Sequence, residues 1–544
     1  MIPVDESDSH RTTTRNAAVM STGTLLSRGT GVVRVSVMLA ALGFSSLSDS
    51  YNTANTTPNI VYELVLGGIL TSVFVPLLVE WAKQHGTEAA WEAGSRFLTL
   101  VLVVLSAVTV VGILAAPWIM RLYLSGSAGR PDHAQELELG IFFLRWFLPQ
   151  IVFYGLGAVA AGLLTANRRF SAQMFAPVLN NVAVIVTMLV FISIRASDHP
   201  DISSVTQIQR LLLAAGTTLG VVAMTVALWP SLRRLGFRWH LRFDWRHETV
   251  RRLLRLARWV VVYVVANQIA YFVIIAFTGH LENGAYTAYS QAFIFFSLPH
   301  AIVAVSIFTA LLPGMTARWT DLDVDGVREL FSRGLRDTEI VMLPAAAGYL
   351  VLAGPIVALL ASHGAVKPEG AELMTRTLTA FAIGLPFFSA FQLLTRTFYA
   401  THDARTPAVV NIVVAVVNLA MDLWLAFGLG LGVPGLALGF AASYAAGSAI
   451  LFLLAHKRLE GADGRRIADT LARAAAASVL TAAATWAAAT AVAGVLEVSR
   501  PLMRLVQVAV AVAAGVLAFV LGALIFKIQE ADEVWQALSA RFRR

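Results

Sequence analysis

Apolar runs of about 20 residues recur along the whole of this 544-residue chain. Each is long enough to cross the hydrocarbon core of a bilayer. One or two such runs could be buried core helices, but a ladder of them has no good reading as a soluble domain. Inside a bilayer each segment must satisfy its own backbone N–H and C=O groups, so runs of this length are helices. Composition agrees: 57% of residues are hydrophobic and 14% charged, where a soluble domain carries about 25% charged residues. The expected fold is an all-α polytopic membrane protein with about fourteen transmembrane helices.

The spans are expected at roughly 17–44, 56–80, 97–121, 138–163, 173–194, 209–230, 256–278, 285–314, 338–361, 374–400, 408–429, 434–455, 473–494 and 503–526. Basic residues test that count. With the N-terminus inside, 30 of the 41 Lys and Arg fall on cytoplasmic segments and 6 on outer ones, while Arg28, Arg34, Arg145, Arg376 and Arg504 lie inside spans. This bias follows the positive-inside rule with both termini cytoplasmic, and it favours an even number of spans. The net charge of +8 then reads as basic loops against anionic lipid rather than a nucleic-acid surface. Three acids precede the first Arg, and the chain start lacks the basic region and cleavage site of a secretory signal. The first helix is therefore expected to stay as an anchor in the plasma membrane.

Several chemistries are excluded. There is no cysteine, hence no disulfide, zinc thiolate cluster or thiol nucleophile. The 11 histidines do not cluster, so no metal site is expected. No loop is long enough to hold a catalytic domain. The longest, around 231–258, reads as a basic interfacial segment. The remaining function classes are a transporter or a membrane scaffold.

The two halves echo each other. LTSVFVPLL (70–78) resembles FTALLPGM (308–315), and GLLTANRRFSAQMFAPVLNNV (162–182) resembles TRTFYATHDARTPAVVNIVVA (395–415). The echoes lie six spans apart, so the repeats share one orientation, as in transporters built from two lobes. The expected layout is a tail at 1–16, an N-lobe at 17–230 and a linker at 231–255. A C-lobe at 256–455, a loop at 456–472, a final helix pair at 473–526 and a tail at 527–544 follow.

Polar residues inside the spans mark the candidate sites, since a charge in hydrocarbon needs a wet cavity or a partner. Arg28 and Arg34 are six residues apart, about 9 Å along a helix and about 120° around it. They form a cationic wall suited to phosphate, or Arg28 snorkels to the inner surface. Gly29 and Gly31 would let that helix bend. Asp49 is expected near its outer end. Asn55, Asn59 and Glu63 open the second span, with Pro58 marking its start or a bend. Arg145 and Gln150 flank Pro149 in span four and read as separate structural contacts. In span eleven Asn411, Asn418 and Asp422 share one face, and Asn267 and Gln268 lie in span seven. These oxygens suit a small cation, a proton relay or an interhelical hydrogen-bond network.

These residues carry a resemblance. The stretch from Ser27 and Arg28 through Gly31, Arg34, Asp49, Pro58 and Asn59 to Phe74-Val75-Pro76 resembles the opening of the MurJ/MviN family of lipid II flippases. RWFLPQIVF (145–153), ANRRFSAQMFAPVLNN (166–181) and LLTRTFYATHDARTPAVVN (393–411) extend it, the last with Arg396, Tyr399, Asp403, Arg405, Thr406 and Pro407. The resemblance implies a member of the multidrug/oligosaccharidyl-lipid/polysaccharide exporter superfamily, with two lobes around a cationic cavity. The matching cavity arginines are Arg28 and Arg34, and the candidate substrate contacts are Arg28, Arg34, Asp49, Asn55, Asn59 and Glu63. Structural or gating roles fall to Gly31, Pro58, Arg145, Arg396, Asp403 and Arg405. The cation site of some members maps onto Asn418 and Asp422, with Asn267 a neighbour in register. The last two helices would form a groove for the polyprenyl tail.

The chain departs from the family pattern at two places. Where many members carry paired arginines and then Ala-Glu-Gly, it has Tyr62, Glu63 and Leu66-Gly67-Gly68; where many carry Asp-Arg, it has Phe293-Ile294. It is thereby similar to the actinobacterial branch. The implied function is flipping of undecaprenyl-pyrophosphate-linked peptidoglycan precursor by alternating access. Its partners would be lipid II, phospholipids and cell-wall or regulatory proteins. It would use no cofactor and be driven by Na+, H+ or the membrane potential. Alternatives are a flippase or exporter of another lipid-linked oligosaccharide, and a non-transporting cell-wall scaffold.

Overall fold

The structure, a computed structural model, describes residues 6–63, 75–167, 169, 171–241, 269, 271–361, 363–497, 500–528 and 530. All regular structure among them is helical. Twelve helical segments among the described residues are long and apolar enough to cross a membrane. The expected spans 56–80 and 256–278 lie partly outside the described residues. Contacts divide the chain into two units, 1–286 with 363–366, and 287–362 with 367–544.

The first unit opens with α1 (Glu6–Leu42) and α2 (Ser46–Glu63). The helix thus begins inside the expected 1–16 tail, and the second helix starts about ten residues earlier than expected. Asp49 is accordingly in the first turn of α2, not at the end of α1, and Pro58 lies within α2. The break has a local cause. Gly43 takes a left-handed φ of +64°, a conformation that costs glycine little. Ser45 and Ser48 then cap α2 reciprocally: the Ser45 amide donates to Ser48 Oγ at 2.9 Å and the Ser48 amide to Ser45 Oγ at 3.4 Å. Such caps satisfy the free N–H groups of a helix start.

Next come α3 (Val75–Tyr123), kinked at Gly86 with φ +87°, α4 (His133–Phe147), α5 (Gln150–Ala166), α6 (Ser171–Ile194), α7 (Gln207–Val226) and α8 (Trp229–Arg234). Expected span four is therefore two helices, broken at Leu148-Pro149. Helix α1 packs on α6, α6 on α7, α2 on α4 and α3 on α5. Tyr51 sits at their centre, edge-on to Phe143 and Phe147 at 5.7 and 5.4 Å. The segment 271–286 also belongs to this unit, whereas the sequence layout begins the C-lobe at 256. Tyr123 and Phe272 meet at 5.8 Å, Tyr286 and Thr56 share a hydroxyl hydrogen bond of 2.6 Å, and Gly126 leaves room for Ala276 and His280. Most of the expected linker, from 242 on, lies outside the described residues. Residues 363–366 dock on the end of α1, with the Ala365 amide donating to Ala40 O at 2.9 Å.

In the second unit α9 (Ala285–Pro299) runs through a π-helical turn at His300–Ala304 into α10 (Val305–Thr320). Then follow α11 (Val324–Ala361), α12 (Pro368–Ala400) and α13 (Arg405–Asp422), which ends in a second π-helical turn, Leu423–Gly428. Helices α14 (Val433–Arg458), α15 (Gly464–Val495) and α16 (Pro501–Ile525) complete it. Helix α12 packs on α14, α13 on α14, and α15 with α16 against α11. The core of α9, α12 and α14 is aromatic: Phe296, Phe381, Phe388, Phe440 and Tyr444 stand 4.5–5.7 Å apart in successive pairs. Segment 317–335 is the end of α10 and the start of α11.

Candidate functional site

Arg34 is the charged centre of the polar face in the first unit. It is half-buried on α1, while Arg28, nearly two turns earlier, is exposed. Arg34 Nη1 donates to Asn181 Oδ1 of α6 at 3.4 Å. Asn181 Nδ2 in turn donates to Ser27 O at 3.1 Å and Thr30 Oγ1 at 3.0 Å. Among the described residues no carboxylate comes within ion-pair distance of Arg34. The Glu63 side chain lies outside what is described. Gly31 is beside this contact, but a Cβ there would stand 3.7 Å from Asn181 Nδ2, an ordinary distance that any small side chain tolerates.

Helix α2 continues the polar face. Tyr51 OH pairs with Thr217 Oγ1 at 2.7 Å. Asn59 accepts from Tyr154 OH at 2.9 Å and donates to Asn55 O at 3.0 Å. Asn55 Oδ1 is buried with no hydrogen bond, a costly state for a polar atom unless a ligand or water meets it. Asp49 is buried, and its Oδ2 accepts the Gly284 amide at 2.8 Å. Arg145 is exposed, and Gln150 is buried and donates to Thr218 Oγ1 at 3.1 Å, so the two do not act together.

The second unit holds the other charged centre. Asn418 Nδ2 donates to Asp422 Oδ1 at 3.0 Å, the one-turn pairing that their spacing predicts. Asp422 is 1% exposed, and its Oδ2 has no hydrogen-bond partner. Gly439 of α14 is pressed against it, and a Cβ there would collide with Asp422 Oδ1. Asn411 is buried on the same helix, about three turns before Asp422. Asn267, the expected partner from span seven, lies outside the described residues, as does Gln268. A buried carboxylate with one open oxygen can take a small cation or a proton.

The segment 393–411 is a structural corner rather than a binding surface. Asp403 accepts the amides of Arg405 and Thr406 at 3.1 and 3.0 Å and the Thr406 hydroxyl at 2.8 Å, so it caps α13. Arg458 of α14 reaches it at 3.4 Å. Burial alone would raise the Asp403 pKa, but the Thr406 donors, the Arg458 charge and the Arg405 amide outweigh it and hold the carboxyl below its ordinary range. Arg405 is exposed and contributes its amide. Arg396 lies over the Phe308 ring at 5.6 Å. A third feature is an apolar cavity of about 450 Å³ between α11, α15 and α16, lined by Tyr349, Thr481, Thr485, Val512, Gly515 and Phe519 among others.

A family model described as lipid II flippase MurJ matches residues 38–507. The chain belongs to the MurJ family. The lipid II flippase MurJ of Burkholderia cenocepacia is 28% identical over 440 residues, covering 80% of this chain and 82% of that protein. A probable lipid II flippase MurJ of Thermotoga maritima is 25% identical over 442 residues, covering 81% and 85%. Among solved structures, an inward closed conformation of lipid II flippase MurJ superposes with a TM-score of 0.73 at 19% identity, covering 94% of this chain and 98% of that one. An inward-facing multidrug resistance MATE family transporter of the MOP superfamily gives 0.61 at 15% identity, over 79% and 94%. The MurJ fold is thus present over nearly the whole chain, and the protein is a multi-pass membrane transporter rather than a catalyst.

Sequence reasoning missed Asn181, Tyr51, Tyr154 and Thr217. The Asn180-Asn181 pair inside an apolar span was a usable signal, since a polar amide in hydrocarbon needs a partner. Nothing local pointed to Arg34 as that partner.

Proposed function

We propose that this chain flips lipid II from the inner to the outer leaflet, with Arg34 receiving the pyrophosphate. The family match over 38–507 carries the reading of cargo. Arg34 supports the reading of mechanism: it is a half-buried guanidinium oriented by a neutral amide, and among the described residues no carboxylate neutralises it. A guanidinium offers two parallel donors to phosphate oxygens. Arg28, exposed near the start of the apolar span Thr22–Leu42, serves at entry. Asn59, Tyr154 and the open Asn55 Oδ1 offer polar contacts to the glycan. The cavity between α11, α15 and α16 takes part of the polyprenyl tail. Both termini are cytoplasmic, and the two units act by alternating access.

The driving force is assigned to Asp422 with Asn418, loaded by Na+ or H+, or to the membrane potential acting on the cargo's charge. That potential is worth about 2.3 kcal/mol per charge at 100 mV. The test is replacement of the resident flippase in a depleted bacterium. The expected result is restored growth, with lipid II reaching the outer leaflet. A chain present in the membrane at normal level that leaves lipid II in the inner leaflet would overturn the proposal.

A further inference from the structure

Asn181 makes three contacts with α1 from a single buried amide, and their chemistry fixes which way the amide points. The residue is 7% exposed. Both protons of Nδ2 are committed, one to the Ser27 carbonyl at 3.1 Å and one to Thr30 Oγ1 at 3.0 Å. The Thr30 hydroxyl cannot reverse that second bond, because its own proton points back along the helix to Leu26 O at 2.9 Å and Ser27 O at 3.1 Å. The amide oxygen must therefore face Arg34, where it accepts at 3.4 Å. Flipping the amide would set Nδ2 against a guanidinium and Oδ1 against a carbonyl, two repulsive contacts.

We infer that Asn181 is a positioning residue for the anion-binding arginine: it aims Arg34 and, being neutral, keeps its charge available. This rests on the phosphate role proposed for Arg34. A carboxylate at this position would have the same shape and would bind the guanidinium as an ion pair. An incoming phosphate would then have to displace a fixed anion. The same carboxylate would also place an oxygen against the Ser27 carbonyl. An asparagine here thus resolves two demands that an aspartate or a leucine could not: a directed guanidinium and an uncompensated positive charge in a span.

The test uses the full-length protein in nanodiscs, carrying Asn181→Asp, Asn181→Ala or Arg34→Ala. Two readouts are taken: affinity for inorganic pyrophosphate, and the rate at which phenylglyoxal modifies Arg34, followed on its peptide by mass spectrometry. Asn181→Asp is isosteric. It should weaken pyrophosphate binding at least about tenfold, the scale of removing one charge-assisted hydrogen bond, and slow modification of Arg34. Asn181→Ala should free the side chain, speeding modification while weakening binding less than the aspartate does. A structural role alone would give both variants the same sign in both readouts. Asn181→Asp with wild-type affinity and wild-type modification rate would overturn the inference. If Arg34→Ala binds pyrophosphate as well as wild type, the phosphate role of Arg34 fails, and the modification rates alone decide whether Asn181 aims it. Should Asn181→Ala not reach the membrane, Asn181→Ser replaces it.

Discussion

Among the described residues, each unit of this protein carries a charged group in a span that is met by an asparagine and not by an opposite charge. In the first unit the cation Arg34 faces the oxygen of Asn181; in the second the carboxylate of Asp422 faces the nitrogen of Asn418. The amide is used in opposite senses, and the surroundings differ as well. Arg34 is half-buried, while Asp422 is 1% exposed and covered by Gly439. In the mechanism we propose, the first charge receives the cargo and the second a coupling cation or proton.

The largest effect should come from breaking the open side of this comparison. Arg34→Ala should lower lipid II flipping at least about thirtyfold, as expected when a partly desolvated charge interaction worth roughly 2 kcal/mol is removed. Arg34→Lys should retain partial activity, because it keeps the charge but not the fork. Arg28→Ala should be much milder. Leaflet-resolved lipid II assays at matched membrane levels check all three, and full activity of Arg34→Ala would remove the arginine from the mechanism.

On the closed side, Asp422→Ala should lower transport and abolish any dependence on Na+ or on a proton gradient. Transport by vesicles across defined ion gradients reads this directly. Loss of stability with an unchanged ion response would reduce Asp422 to a packing residue. Gly439→Ala probes the same carboxylate from the facing helix. The added methyl collides with it, and forced overpacking costs about 1–3 kcal/mol, so the variant should melt earlier in detergent and share the ion defect.

The smallest effect is expected at the corner that supports this side. Asp403 is held ionised by its donors and by Arg458, with its pKa below the ordinary 3.8. The charged form is therefore favoured by folding. Its contribution is fully present above that ordinary value and disappears as the pH falls through the lower folded one. Asp403→Asn keeps the capping oxygen but loses the charge facing Arg458, and should cost about 0.5 kcal/mol near neutral pH, the scale of a partly exposed ion pair. In thermal melts the gap to wild type should close in acid; a gap independent of pH would contradict the assignment.

What could be read from the sequence follows from how local each feature is. Span length and hydropathy are properties of a single segment, so the helical ladder was legible. The Asn418–Asp422 bond was legible too, because four residues make one turn. The depth of Arg34 followed from its place in an apolar run. The break after Leu42 was harder: Gly43, Ser45 and Ser48 form a cap, but they sit in a polar stretch that continues through Asn55. Asn181 and Arg34 are separated by 147 residues, and only the packing of α6 on α1 brings them together. The docking of 363–366 on Ala40 is equally non-local. The partner of Asp49 is a backbone amide at Gly284, which no side-chain pattern announces.

The two π-helical turns, at 300–304 and 423–428, have a mechanical consequence. A π turn is a helix holding one residue more than its pitch accommodates. One residue corresponds to about 100° of rotation. If such a surplus migrates along the rod, the part it passes swivels by that angle while nearly every backbone bond is re-formed behind it. The second surplus begins immediately after Asp422. A helix of this kind is a screw with slack in its thread: it can turn a buried oxygen toward a new neighbour without unwinding, and return it when the load is gone.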